Sequence, residues 1–114
     1  MKKSETHKLD VLFSKMIRQK GYCEKCSQRE TLQAAHIFTR KIRATRWSPL
    51  NALCFCSKCH FWAHDKPILF TEWVLGHLGH TRYELLKEKA SRLKPFLTYE
   101  DVKFAIENKM EPLC

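Results

Sequence analysis

The sequence predicts an α+β fold in which a compact ββα unit, stapled by a metal site, follows one helix and precedes about three more. Two observations carry this expectation. Apolar residues recur at helical spacing near the N-terminus and through the C-terminal half, whereas the middle holds two short apolar runs bounded by turn residues. Two CxxC pairs bracket that middle region, at Cys23/Cys26 and Cys56/Cys59. With 114 residues the chain makes a single domain of modest core, which a cross-link would help to stabilise.

The elements follow in order. Leu9, Leu12, Phe13, Met16 and Ile17 line one side of an amphipathic helix that Gly21 ends. YCEKCSQ is a tight turn, and the apolar run of TLQAAHIF suits a first strand. Residues 39 to 48 read as a basic loop, after which WSPLNALCF supplies a turn at Pro49 and a second strand. SKCHFWAHD is a helix that Pro67 closes. ILFTEWVLGHLG reads as a core helix stopping near Gly76 or Gly79. Thr81 begins another, with Tyr83, Leu86, Ala90 and Leu93 on one side and Pro95 at its end. Thr98 caps the last helix, whose inner face is Val102, Ala105 and Ile106. There is no internal repeat or domain boundary.

Each CxxC aims two thiolates at one point, and two such knuckles complete the tetrahedral sulfur site that zinc takes in structural roles. The 29 residues between Cys26 and Cys56 hold both predicted strands, so a zinc on Cys23, Cys26, Cys56 and Cys59 would tie the turn after the first helix to the start of the SKCHFWAH helix. Disulfides are the weaker expectation, because nothing resembling a signal peptide points to an oxidising compartment. Cys54 is expected to face away from the zinc site into the core, and Cys114 is a free terminal thiol. No apolar run reaches the roughly 20 residues a membrane span needs. A soluble, cytoplasmic protein without a membrane partner is expected.

The formal charge of +9 suits a phosphate-rich partner. Its placement is more informative than its sum. No carboxylate lies between Glu30 and Asp65, an interval that holds Arg40, Lys41, Arg43, Arg46 and Lys58. Arg40 to Arg46 alone can be a solvated face; beside the Cys/His cluster they suit a phosphate-binding surface.

His60 and His64 stand four apart on a predicted helix, so their imidazoles leave one face about a turn apart. That spacing suits chelation and also occurs as an ordinary surface or core feature. One metal on Cys56, Cys59, His60 and His64 is an alternative, although it leaves Cys23 and Cys26 without a purpose. His77 and His80 read as a helix end. Trp47, Trp62 and Trp73 can stack on bases or build the core, and Trp73 is the one most firmly assigned to the core.

Taken in order, CEKC, AAHI, PLN and CSKCHFWAH resemble the HNH endonuclease family with its ββα-metal fold, in the subset carrying a zinc knuckle. The likeness spans about residues 22 to 65, and RWSPLNALCFCSKCHFW further resembles phage recombination nucleases of the NinG-like group. The resemblance implies hydrolysis of DNA phosphodiesters, with His36 as general base, Asn51 fixing the loop and orienting His36, and His60 with His64 on a catalytic cation such as Mg2+, Mn2+, Ni2+ or Zn2+. Arg40, Lys41, Arg43 and Arg46 would take flanking phosphates. One departure stands out: where this family commonly places Asp, His or Glu before the base, here is Ala35, leaving two protein donors unless Asp65 joins them. A zinc-stapled DNA-binding module without catalysis is the competing expectation, with an RNA-binding or regulatory protein behind it. The C-terminal helices hold eight of the twelve acids once Asp65 is counted, and are expected to support the nuclease unit or to mediate pairing into a homodimer.

Overall fold

A computed structural model describes residues 1–92 and 96–112. Among them are six helices and one two-stranded antiparallel sheet. The expectations for Leu93, Pro95 and Cys114 lie outside the described residues.

Helix α1 (Lys3–Arg18) begins where the Glu5 carboxylate accepts the Lys2 backbone N–H at 2.8 Å, and the chain leaves it through Gly21 at φ +84°. That left-handed conformation is open to glycine without a Cβ penalty. Its apolar stripe buries Leu9 and Phe13 completely, and burying Phe13 alone contributes about 2–3 kcal/mol.

Strand β1 (Leu32–His36) pairs with β2 (Ala52–Cys56) in the register His36 to Ala52, Ala35 to Leu53, Ala34 to Cys54 and Gln33 to Phe55. All five residues of β2 are buried. The run ALCFC lacks polar alternation because both of its faces are covered. Leu53 and Phe55 join a core with Ala63, Phe70 and Val74, while Ala52 joins Leu9, Phe13, Trp47, Val102 and Ile106 on the other side.

The connection between the strands contains a short helix, α2 (Arg43–Arg46), within the stretch expected as a basic loop, and a 3-10 turn at Pro49–Asn51, where a turn was expected. Helix α3 (Ser57–Asp65) follows β2 directly, capped by the Cys56 thiol, which accepts the Cys59 N–H at 3.5 Å. Pro67 opens α4 (Pro67–Leu78) as well as closing α3, since its missing N–H and fixed φ suit a first helical position. Gly79, at φ +88°, separates α4 from α5 (His80–Ala90), while Gly76 lies within α4. Thr98 caps α6 (Tyr99–Glu107), its Oγ1 accepting the Asp101 N–H at 3.1 Å, with Val102, Ala105 and Ile106 buried as expected.

Two expectations change. Helix α4 buries Phe70 and Val74 but leaves Ile68 and Leu69 exposed, so it covers the core with one stripe only. Trp47 is the tryptophan sealed in the core, whereas Trp73 is half-buried, edge-on to Phe55 and stacked on His77. No helix among the described residues is long and apolar enough to cross a membrane.

Candidate functional site

The four cysteines of the two CxxC pairs converge: their sulfur atoms all lie within 4.8 Å of one another, and Cys26 and Cys56 stand 3.7 Å apart. A tetrahedral zinc with Zn–S bonds of about 2.3 Å separates its sulfurs by roughly 3.8 Å, so the cluster fits a structural ion such as zinc. The geometry comes from two local devices. In the first knuckle, Cys23 N–H donates to the Gln28 carbonyl at 2.7 Å and Ser27 N–H to the Cys23 carbonyl at 2.8 Å, with Ser27 at φ +70°. In the second, the strand-to-helix junction presents Cys56 and Cys59 from the first turn of α3.

Burial opposes a Cys23 thiolate, yet hydrogen bonds from the backbone at Cys26, Cys56 and Lys25 outweigh it and bring the thiol to about 7. Cys59 moves upward, through burial and its contacts with the other three sulfurs. Sulfurs this close cannot all ionise alone, and a dication removes that conflict.

Cys54 stays outside the cluster and is fully buried as expected, although two residues from Cys56 on one strand it belongs to the same face as Cys56 and not to the opposite one. Glu24 grips its backbone from within the first knuckle, donating its N–H to the Cys54 carbonyl at 2.8 Å and accepting the Cys54 N–H on Oε2 at 2.7 Å. Its other oxygen meets His77 Nε2 at 3.3 Å, so His77 ties the knuckle to the end of α4.

A cleft of about 790 Å³ is lined by His36, Arg40, Lys41, Arg46, His60 and His64, with Asp10 and Ser14 from α1. His36 ends β1, and its Nε2 lies 3.0 Å from the Arg46 carbonyl. A carbonyl only accepts, so Nε2 carries the proton and Nδ1 keeps its lone pair. Burial lowers the His36 pKa below the ordinary histidine value; the hydrogen bond to the Arg46 carbonyl and the Asp10 charge oppose this, and the Arg40 and Arg46 charges add to it.

Asn51 is fully buried at the far end of the same loop. Its Nδ2 donates to the carbonyls of Phe38 and Thr45, each at 3.0 Å, and its Oδ1 accepts the Phe38 N–H at 2.8 Å. It therefore fixes the loop and reaches His36 indirectly: Thr45 adjoins the Arg46 carbonyl that holds the imidazole, and the Asn51 carbonyl accepts the Ile37 N–H at 2.8 Å. Tyr83 of α5 packs against Phe38 and supports the same segment.

On α3, His60 Nε2 and His64 Nε2 are 3.2 Å apart. Two imidazoles on one ion at about 2.0–2.1 Å span roughly 3.0–3.4 Å, so the pair fits a shared cation. Burial, and after it the neighbouring His64, lowers the His60 pKa below the ordinary histidine value. Gln33 of β1 meets His60 Nδ1 with its Oε1 at 2.7 Å. Ala35 lines the same cleft and adds no donor. Asp65 follows His64 at the end of α3, exposed and beside the Lys66 ammonium at 3.9 Å.

The four basic residues of the loop separate into two kinds. Arg40 and Lys41 are exposed at the cleft. Arg43 lies over the Trp47 ring, and Arg46 is held by Asp10 through Nε at 3.1 Å and Nη2 at 2.6 Å. Trp47 Nε1 donates to the same carboxylate at 3.0 Å, and Arg40 stands 3.6 Å from it. Burial alone would raise the Asp10 pKa; Arg46, with Trp47 and Arg40, reverses that and lowers it.

Asp10, Glu24 and Gln33 escape sequence reasoning. A lone acid on an amphipathic helix carries no positional signal, and Gln33 has only its place two residues before Ala35, on the same face of the strand. Compared with known protein families, curated proteins and solved structures, the chain matches none.

Proposed function

We propose that the chain is a metal-dependent endonuclease of the HNH kind that hydrolyses DNA phosphodiester bonds by cutting or nicking. The observation that supports this most is the meeting in one cleft of an imidazole with a free Nδ1 lone pair, a histidine pair at cation-sharing distance, and two exposed cations. His36 takes the proton of the attacking water on Nδ1, while its Nε2–H, held by the Arg46 carbonyl, fixes the ring and steadies the imidazolium that forms. Arg40 and Lys41 bind phosphates flanking the scissile bond. His60 and His64 would hold the divalent cation, which would supply neutralisation of the charge that develops on the phosphate. Action on branched recombination intermediates, as the NinG-like resemblance implies, is the narrower form of this reading.

A second reading has its own observation. With Ala35 beside the pair, the described residues offer the ion two imidazoles, which suits a DNA-binding module that has lost catalysis. One experiment separates the two: supercoiled plasmid incubated with zinc-loaded protein, with EDTA or added Mg2+, Mn2+ or Ni2+, beside His36→Ala. Cation-dependent nicking that His36→Ala abolishes while DNA binding persists is the expected result. Salt-sensitive binding without cleavage under any cation would select the binding module.

A further inference from the structure

We infer that Gln33 is the positioning residue of the histidine pair: it fixes His60 in the tautomer that turns the Nε2 lone pair toward His64. This rests on the reading of His60 and His64 as cation holders and adds the residue that prepares them.

The chemistry follows from donor and acceptor inventory. Gln33 Oε1 can only accept, so at 2.7 Å the His60 Nδ1 must carry the proton. The neutral ring has one N–H, and its second nitrogen, Nε2, is therefore a lone pair. That nitrogen is the one standing 3.2 Å from His64 Nε2. A histidine with its far N–H engaged by a carbonyl oxygen is the arrangement that orients and strengthens metal-binding imidazoles.

The sheet dictates the pairing. Gln33 and Ala35 share one face of β1, and that face packs against α3. Ala35 is buried in the core with Ala63, which keeps α3 close to the strand. Gln33, two residues toward the N-terminus, is exposed and carries a side chain long enough to reach His60. A neutral amide performs this without placing a second charge beside the pair. Leucine at this position would keep the strand and lose the acceptor, whereas glutamate would keep the acceptor and strengthen it.

The test uses zinc-loaded full-length protein, with Mn2+ as probe because a hard dication does not compete for the thiolate site. Mn2+ affinity is measured by electron paramagnetic resonance for the wild type, His64→Ala, Gln33→Leu and Gln33→Glu, and the His60 tautomer by long-range 15N–1H correlation without Mn2+. The expected result is an Nδ1–H signature in wild type, lost in Gln33→Leu together with about 10–100-fold of Mn2+ affinity. Gln33→Glu should restore both. Wild-type binding that Gln33→Leu leaves unchanged, or an Nε2–H tautomer in wild type, overturns the role of Gln33 alone. Mn2+ binding absent in wild type, or equal in His64→Ala, overturns the cation site and with it this role.

Discussion

Replacing Asn51 with alanine probes the loop that carries the cleft. The Asn51 side chain is fully buried and serves three backbone groups: the Phe38 and Thr45 carbonyls and the Phe38 N–H. Alanine leaves all three without a partner. Each lost bond costs about 1 kcal/mol net, and a buried group that water cannot reach costs about 1–3 kcal/mol, so the sum is about 3 kcal/mol. Against a usual total of about 5–15 kcal/mol this is a large fraction, and it lowers Tm by about 10–15 °C. Urea unfolding of the zinc-loaded protein, followed by circular dichroism, should show a lower midpoint at unchanged slope. Leu50→Ala, at an exposed neighbour, serves as control and should stay within about 0.5 kcal/mol. Asn51→Asp separates hydrogen bonding from volume, because it keeps the side-chain size yet sets a carboxylate against two carbonyl oxygens. It should be at least as destabilising as alanine. A loss below about 1 kcal/mol in Asn51→Ala, or an Asn51→Asp variant as stable as wild type, would refute the assignment of the loop to these three bonds.

Other expectations follow from the same geometry. Stripping the metal should unfold the chain, because structural zinc contributes on the order of 10 kcal/mol, comparable to the whole stability; elemental analysis should find one zinc per chain, lost in Cys56→Ala. An unchanged Tm after chelation would exclude that role. His36 is held below its unfolded value of 6.5, so the unfolded chain binds the proton first and stability falls as pH drops through 6.5 towards the folded value. His36→Asn should remove that part of the pH slope in thermal melts, and a wild-type slope in the variant would count against it. Asp10→Asn should cost about 2–3 kcal/mol by leaving Arg46 and Trp47 with a weaker acceptor. Asp10 is lowered below 3.8, so its contribution is present above that value and is lost as pH falls through the folded one, a loss acid titration of wild type against the variant should show. For DNA binding, Arg40→Ala and Lys41→Ala should each flatten the salt dependence by about 0.9 in slope, whereas Arg46→Ala should mainly lower Tm.

The sequence by itself determined what short-range chemistry determines. The CxxC spacing announces a four-sulfur site, apolar periodicity sets α1 and α6, Gly21 and Thr98 mark helix ends, and WSPLNALCF reads as a turn and a short strand. Each CxxC pair, helix end and strand run lies within a few residues, so neighbours in the chain suffice to read it, and only the joining of the two pairs spans 29 residues. The basic loop shows the limit. Its charges were legible, but that Arg46 is held by Asp10 while Arg40 and Lys41 face the cleft depends on α1 crossing a loop 36 residues further along the chain. Likewise Trp47 is sealed in the core because α1 and α6 close over it, a fact no local pattern contains. Gln33 meets His60 only because the hairpin register and the start of α3 bring two segments 27 residues apart into contact. Local propensity chose the elements, and the tertiary structure chose which side chains face the cleft, because donor and acceptor pairing across elements depends on packing that sequence separation does not encode.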